Sequence, residues 1–126
     1  MILIFGGADQ GKYEFVKSKF NIRDCDTYFC SEDKSSIDFS KKAIINLELF
    51  IKNILKQGQK PIEIINKNLF KFSDKIVICE DVCCGIVPIS YEDRLFREAV
   101  GKILQILSRS SDEVYRVFCG IGERLK

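Results

Sequence analysis

The chain opens on an unbroken apolar run, residues 1–5, and the pattern predicts a strand buried on both faces. A glycine-rich turn follows at 6–12. Residues 13–20 then set Phe15, Val16, Lys19 and Phe20 at helical spacing. Residues 26–30 read as a short strand, and 31–40 as a polar loop leading towards a helix. Residues 43–47 fit either a strand or a helix start. Apolar positions at Leu49, Phe50, Ile51, Ile54 and Leu55 predict a helix ending near Gly58. Pro61 starts another, with Ile64, Ile65, Asn68, Leu69 and Phe72 on one face. The β-branched run Ile76-Val77-Ile78 marks a buried parallel strand over 75–79, and 82–90 is a loop. Ser90 is suited to an N-cap, with Asp93 three residues on. The stripe Leu95, Phe96, Ala99, Val100, Ile103, Leu104 and Leu107 then gives the clearest helix. Residues 113–119 form a last strand and 120–126 a tail.

Strands alternate with helices along the whole chain, without repeat or linker. The expected fold is therefore α/β, with a mostly parallel sheet and helices on both faces, as one domain over residues 1–126. In such sheets ligands sit at the carboxyl ends of the strands.

Composition narrows the chemistry. A net charge of +2 gives no electrostatic footprint for nucleic acid or a membrane surface. No apolar run reaches membrane-span length, and the short first run is not an export signal, so the expected location is the cytoplasm. The 6 cysteines are then expected as reduced thiols. Cys30, Cys79, Cys83, Cys84 and Cys119 fall at or just past strand ends. They suit either a soft-metal or redox site or small buried residues. Histidine is absent, so these residues hold no Ser-His-Asp triad, Cys-His pair or imidazole ligand.

Gly6-Gly7-Ala8-Asp9-Gln10-Gly11-Lys12 fits G-x-x-x-x-G-K between a strand and a helix. The glycines let backbone N–H groups face phosphate oxygens, and the lysine adds a point charge. The other reading is a strand-to-helix turn without a ligand. Two positions depart from normal use. Tyr13 stands where a Ser or Thr hydroxyl ligates magnesium, and Asp9 sets a carboxylate beside the phosphates. Glu80 and Asp81 follow a strand, where an acid positions magnesium in phosphate-loop enzymes; as a solvated loop pair they carry no chemistry. Arg94 and Arg97 share one helix turn and read as a ligand or subunit contact or as a solvated face.

Asp81-Val82-Cys83-Cys84-Gly85-Ile86-Val87-Pro88, then Arg94-Leu95-Phe96-Arg97-Glu98-Ala99-Val100-Gly101, resembles the E-V-G-x-G-I-V-P…R-x-F-R-D-x-x-G signature of the cobinamide kinase/cobinamide-phosphate guanylyltransferase family. Residues 112–122 are similar to that family's D-E-V-W-x-V-x-x-G-I-G, and residues 2–8 to its opening strand and G-G-A-R-S-G-K-S loop. The resemblance implies a P-loop NTPase-like fold and a place in cobalamin biosynthesis. It implies two reactions: phosphorylation of adenosylcobinamide by a nucleoside triphosphate, and transfer of GMP from GTP through a guanylylated histidine. It would give Gly6, Gly7, Ala8, Gln10, Gly11, Lys12 and Tyr13 to nucleotide, and Lys12 and Asp81 to catalysis. Asp81 would also bind Mg2+ carried with ATP or GTP. Glu80, Gly85, Arg94 and Arg97 would fall to ligand or subunit contacts, with corrinoid as the other ligand and a trimer as the assembly.

The departures qualify this. The family's histidine-bearing segment is missing, so guanylyl transfer through histidine is not expected. Its loop arginine aligns with Asp9 and its loop serine with Tyr13. The acid and threonine of its D-C-L-T-L-W segment fall near Ile45 and Glu48, and Cys83 replaces a glycine. Two functions stand: a cobinamide kinase-like enzyme with impaired chemistry, or a non-catalytic nucleotide- or corrinoid-binding subunit or regulator.

Overall fold

The computed structural model describes residues 1–83 and 88–126. Six strands form one sheet: β1 (Ile2–Gly6), β2 (Thr27–Phe29), β3 (Ala43–Ile45), β4 (Ile76–Glu80), β5 (Glu113–Phe118) and β6 (Ile121–Arg124), in the spatial order β2-β3-β4-β1-β5-β6. Every neighbouring pair is parallel except β5 with β6. The α-helices among the described residues are α1 (Lys12–Phe20), α2 (Leu47–Lys56), α3 (Pro61–Asn68) and α4 (Tyr91–Ser110).

The expected α/β fold is therefore present, and the period of two along the strands explains how its faces are covered. Leu3, Ile44, Val77 and Val114 point to one side, where Phe50, Ile51 and Ile54 of α2, Ile65 of α3 and Val100, Ile103 and Leu107 of α4 bury them. Ile4, Ala43, Ile45, Ile78, Tyr115 and Val117 point to the other, against Val16 of α1. Continuous apolar runs such as Ile2–Gly6 read as they do because both faces are covered. Helix signals held well. Ser90 Oγ accepts from the Asp93 amide at 3.2 Å, and Pro61 opens α3. The ambiguous stretch at 43–47 resolves into β3, a left-handed Asn46 (φ 60°) and the first turn of α2.

Two expectations are corrected. Residues 31–40 open no helix. The β2–β3 crossover is an irregular strap whose Ile37 and Phe39 pack on the core, Phe39 edge-on to Phe72 at 5.0 Å. Glu32 anchors it to α2 through Lys52 and Lys56 at 2.9 and 2.6 Å. The tail is not irregular either: most of it is β6. Cys119 and Gly120 both have positive φ (51° and 76°), which matches the twist a two-residue hairpin needs, so the chain turns back and pairs Phe118 with Ile121.

Candidate functional site

β1 delivers the glycine-rich loop to the carboxyl edge of the sheet, between β4 and β5. Gly6 is required by contact: a Cβ there would lie 2.4 Å from the Val117 carbonyl oxygen. Gly11 is required by conformation. Its φ of 87° falls in the left-handed region, and its Cα side faces Gly120, whose Cα would be 3.3 Å from an added Cβ. The loop is pinned to the β5–β6 hairpin through Gln10. The Gln10 carbonyl accepts from the Gly120 amide at 2.8 Å, and its Oε1 accepts from the Cys119 amide at 2.8 Å. Lys12, the first residue of α1, folds its Nζ back to donate to the Gly7 carbonyl at 2.6 Å. Ala8 and Asp9 form the exposed crest, Asp9 with a φ of 56°.

Tyr13 turns away from the loop. Its hydroxyl donates to Asp24 and lies 3.4 Å from Thr27 Oγ1, and its ring stands edge-on to Phe29 at 5.4 Å. Partial burial, then the bond to Asp24, push the phenol above its ordinary range.

The acidic edge adjoins the loop through backbone. Gly6 and Glu80 are register partners, and the Asp81 amide donates to the Gly6 carbonyl at 2.8 Å. Asp81 Oδ1 accepts from the Cys83 amide at 2.9 Å, which fixes the turn after β4. Arg97 comes at that turn from α4. Its guanidinium donates to the Cys83 carbonyl, and the Cys83 thiol lies 3.4 Å from the Arg97 carbonyl. Arg94 is exposed on the same helix, and both arginines line a cavity of about 480 Å³ with Cys83 and Pro88. The structure thus brings loop 6–12, Glu80 and Asp81 together, and sets Arg94 and Arg97 behind the 81–83 turn. Gly85 lies outside the described residues.

Glu48 belongs to this edge, although the sequence placed it only among the departures. It sits in the first turn of α2 and is 4% exposed. Its Oε2 accepts from the Glu80 amide at 2.9 Å. Burial pushes its carboxyl above the ordinary range, and the Glu80 carboxylate adds to this. The Glu80 amide and Lys12 act in the opposite sense. The signal was available: an acid one residue into a helix that directly follows a strand's carboxyl end.

Cys84 lies outside the described residues, and the described thiols do not gather into a metal centre. Among the described residues no group of three or more His, Cys, Asp or Glu side chains is placed to hold a metal. Burial foremost, with the Glu48 carboxylate, pushes the Cys30 thiol up to about 12, and Cys79 is likewise raised well above its usual range. Such thiols stay protonated and behave as small apolar residues. No helix among the described residues is long and apolar enough to cross a membrane.

Residues 27–125 match the family described as cobinamide kinase / cobinamide phosphate guanyltransferase. The matched segment holds the acidic edge, the helix with both arginines and the closing hairpin, and begins after the glycine-rich loop. A stretch of 51 residues is 37% identical to the bifunctional adenosylcobalamin biosynthesis protein CobU of Salmonella typhimurium, covering 40% of this chain and 28% of that protein. The match from β2 to the end of β6 shows that this chain belongs to the cobinamide kinase / cobinamide phosphate guanyltransferase family.

Proposed function

We propose that the loop at residues 6–12 holds the phosphate groups of a ligand of cobalamin biosynthesis, a nucleotide or a corrinoid phosphate, and that kinase chemistry here is impaired. The observation that carries this is the contrast within seven residues. The loop keeps its glycine conformation and Lys12 lies across it, 2.6 Å from the Gly7 carbonyl. The side chain after Lys12 has left the site for Asp24 and Thr27.

The side chain after Lys12 does not offer magnesium the hydroxyl it uses beside the phosphates. That ion keeps near-octahedral geometry and uses a hydroxyl or carboxylate close to the phosphates. Tyr13 offers its oxygen elsewhere. Glu48 is buried, with Oε2 on the Glu80 amide, and Asp81 Oδ1 accepts from the Cys83 amide, while the Glu80 carboxylate lies on the same edge. Phosphate binding would fall chiefly to backbone amides and Lys12. Lys12 would exchange the Gly7 carbonyl for a phosphate oxygen, and Asp9 at the crest would disfavour a high charge. Guanylyl transfer through histidine has no residue to carry it, since the 126 residues contain none. The withdrawn Tyr13 and the folded-back Lys12 favour one second reading, a subunit that binds nucleotide or corrinoid without turnover.

Thermal melting with millimolar ATP or GTP, with and without magnesium, tests this on wild type and Lys12→Ala. A ligand at ~100 times its dissociation constant adds about 2.7 kcal/mol, roughly ten degrees here. The expected result is a shift that magnesium does not change and Lys12→Ala removes. A shift that requires magnesium, with phosphate transferred to cobinamide, overturns the impairment. No shift with either nucleotide leaves the corrinoid phosphate as the remaining ligand to melt against.

A further inference from the structure

The β5–β6 hairpin is covered on one face and open on the other. On the covered face Tyr115 and Val117 are buried, and Gly122 lies under Phe15 of α1, so close that a Cβ there would meet the ring at 2.2 Å. By the period of two, Arg116 and Phe118 of β5 and Ile121 and Glu123 of β6 point the other way. There Phe118 is 63% and Ile121 73% exposed, and Leu125 adds a third exposed apolar side chain one period further along. Phe118, Ile121, Arg116 and Glu123 line a surface hollow of about 350 Å³. The two faces also treat their charges differently. On the covered face Arg124 pairs with Glu113 at 3.3 Å. On the open face Arg116 and Glu123 are register partners, yet neither makes an ion pair among the described residues.

We infer that this open face is an interface with a second copy of the chain, related by a two-fold axis that runs along the strands between β5 and β6. Such an axis lays β5 of each copy over β6 of the other, so each side chain meets the register partner of its own position. Phe118 meets Ile121 and Arg116 meets Glu123, and the symmetry makes each contact twice. Opposite charges at register partners are what make the face complementary to itself. Joining the free β6 edge to a second β6 fits less well. Partnered residues in an antiparallel ladder share a face, so a two-fold centred on Glu123 opposes two carboxylates. One centred on Gly122 or Arg124 opposes Glu123 to Ile121 or to Leu125. The face is small for an interface, so the association is weak and depends on concentration.

The test is sedimentation velocity from about 10 μM to about 1 mM protein, on wild type, Arg116→Glu, Glu123→Arg, the double reversal and Phe118→Ser. The expected result for wild type is a monomer–dimer equilibrium, weakened on the order of ten-fold or more by each single reversal and regained in the double reversal. An equimolar mixture of Arg116→Glu and Glu123→Arg is expected to associate like wild type, because the two-fold then sets only opposite charges together. Each single reversal also places like charges side by side within one chain, which mixing cannot repair, so recovery in the mixture reports contact between copies. Phe118→Ser, at a side chain already exposed, is expected to melt as wild type does and to lose the dimer. A wild type that stays monomeric throughout, a trimer or other oligomer that the reversals leave intact, or reversals that mixing does not rescue would each overturn the interface.

Discussion

The two sides of the carboxyl edge are built by different means. On the β1 side the glycine-rich loop is a backbone object. Gly6 is fixed by the Val117 carbonyl, Gly11 by its positive φ, and Gln10 ties the crest to the amides of Cys119 and Gly120. On the β3–β4 side the acidic edge is a side-chain object, with Glu48 reaching to the Glu80 amide and Asp81 to the Cys83 amide. Geometry set by backbone tolerates most substitutions outside its glycines and the Gln10 tie. Geometry set by side chains changes with each replacement. The loop's shape thus rests on its glycines and backbone bonds, and the acidic edge's on the side chains of Glu48 and Asp81.

The largest effect expected from breaking this contrast is at Gly6. Gly6→Ala drives a Cβ to 2.4 Å from the Val117 carbonyl, which the sheet relieves only by shifting β1 against β5. We expect a loss of about 3 kcal/mol, read as a lower urea midpoint. Tyr13→Ser comes next. It removes the bond to Asp24 and the edge-on contact with Phe29, at a cost of about 2 kcal/mol in the same assay. It also returns a small hydroxyl beside Lys12, so nucleotide-induced melting shifts should gain a dependence on magnesium that wild type lacks. Gln10→Ala is milder. It unties the Cys119 amide but leaves the backbone bond to Gly120, costing about 1 kcal/mol and leaving the hairpin turn faster in amide exchange.

The smallest effect is a slope. Glu48 has its carboxyl raised in the folded state from an ordinary 4.5, chiefly by burial. Folding therefore takes up a proton between 4.5 and the raised folded value. Its contribution to stability is complete below 4.5 and is lost as pH rises through that window. Melting curves of wild type and Glu48→Gln should diverge across that interval, with wild type losing ground as pH rises. Parallel curves would place Glu48 in a setting more like solvent.

The same contrast explains what the sequence made legible. The strands of continuous apolar residues, the Ser90 cap, Pro61 and the G-x-x-x-x-G-K turn were readable because each is a local pattern. β6 was hidden because its side chains are mostly exposed and carry no apolar alternation. Its one cue was the glycine at 120, where the chain needs a positive φ. The strap at 31–40 was hidden because Ile37 and Phe39 reach a core made by distant Phe72. Arg97 was singled out as a ligand or subunit contact. Its bond to the Cys83 carbonyl depends on how the 81–83 turn lies against α4, and no sequence spacing reports that. Glu48 was visible as a residue but not as a buried one, because burial there depends on how α2 meets β4.

The most direct test of the central claim lets the phosphates report for themselves. ATP is titrated with wild-type protein and followed by phosphorus-31 NMR in chelator, then again after magnesium is added, with Lys12→Ala as the control. The account predicts that, against a protein-free reference under the same metal condition, the protein shifts or broadens the β- and γ-phosphate resonances without metal, that its effect is no larger once magnesium is added, and that Lys12→Ala has no effect. A protein-dependent change that appears only once magnesium is present, or that is equal in Lys12→Ala, would contradict it.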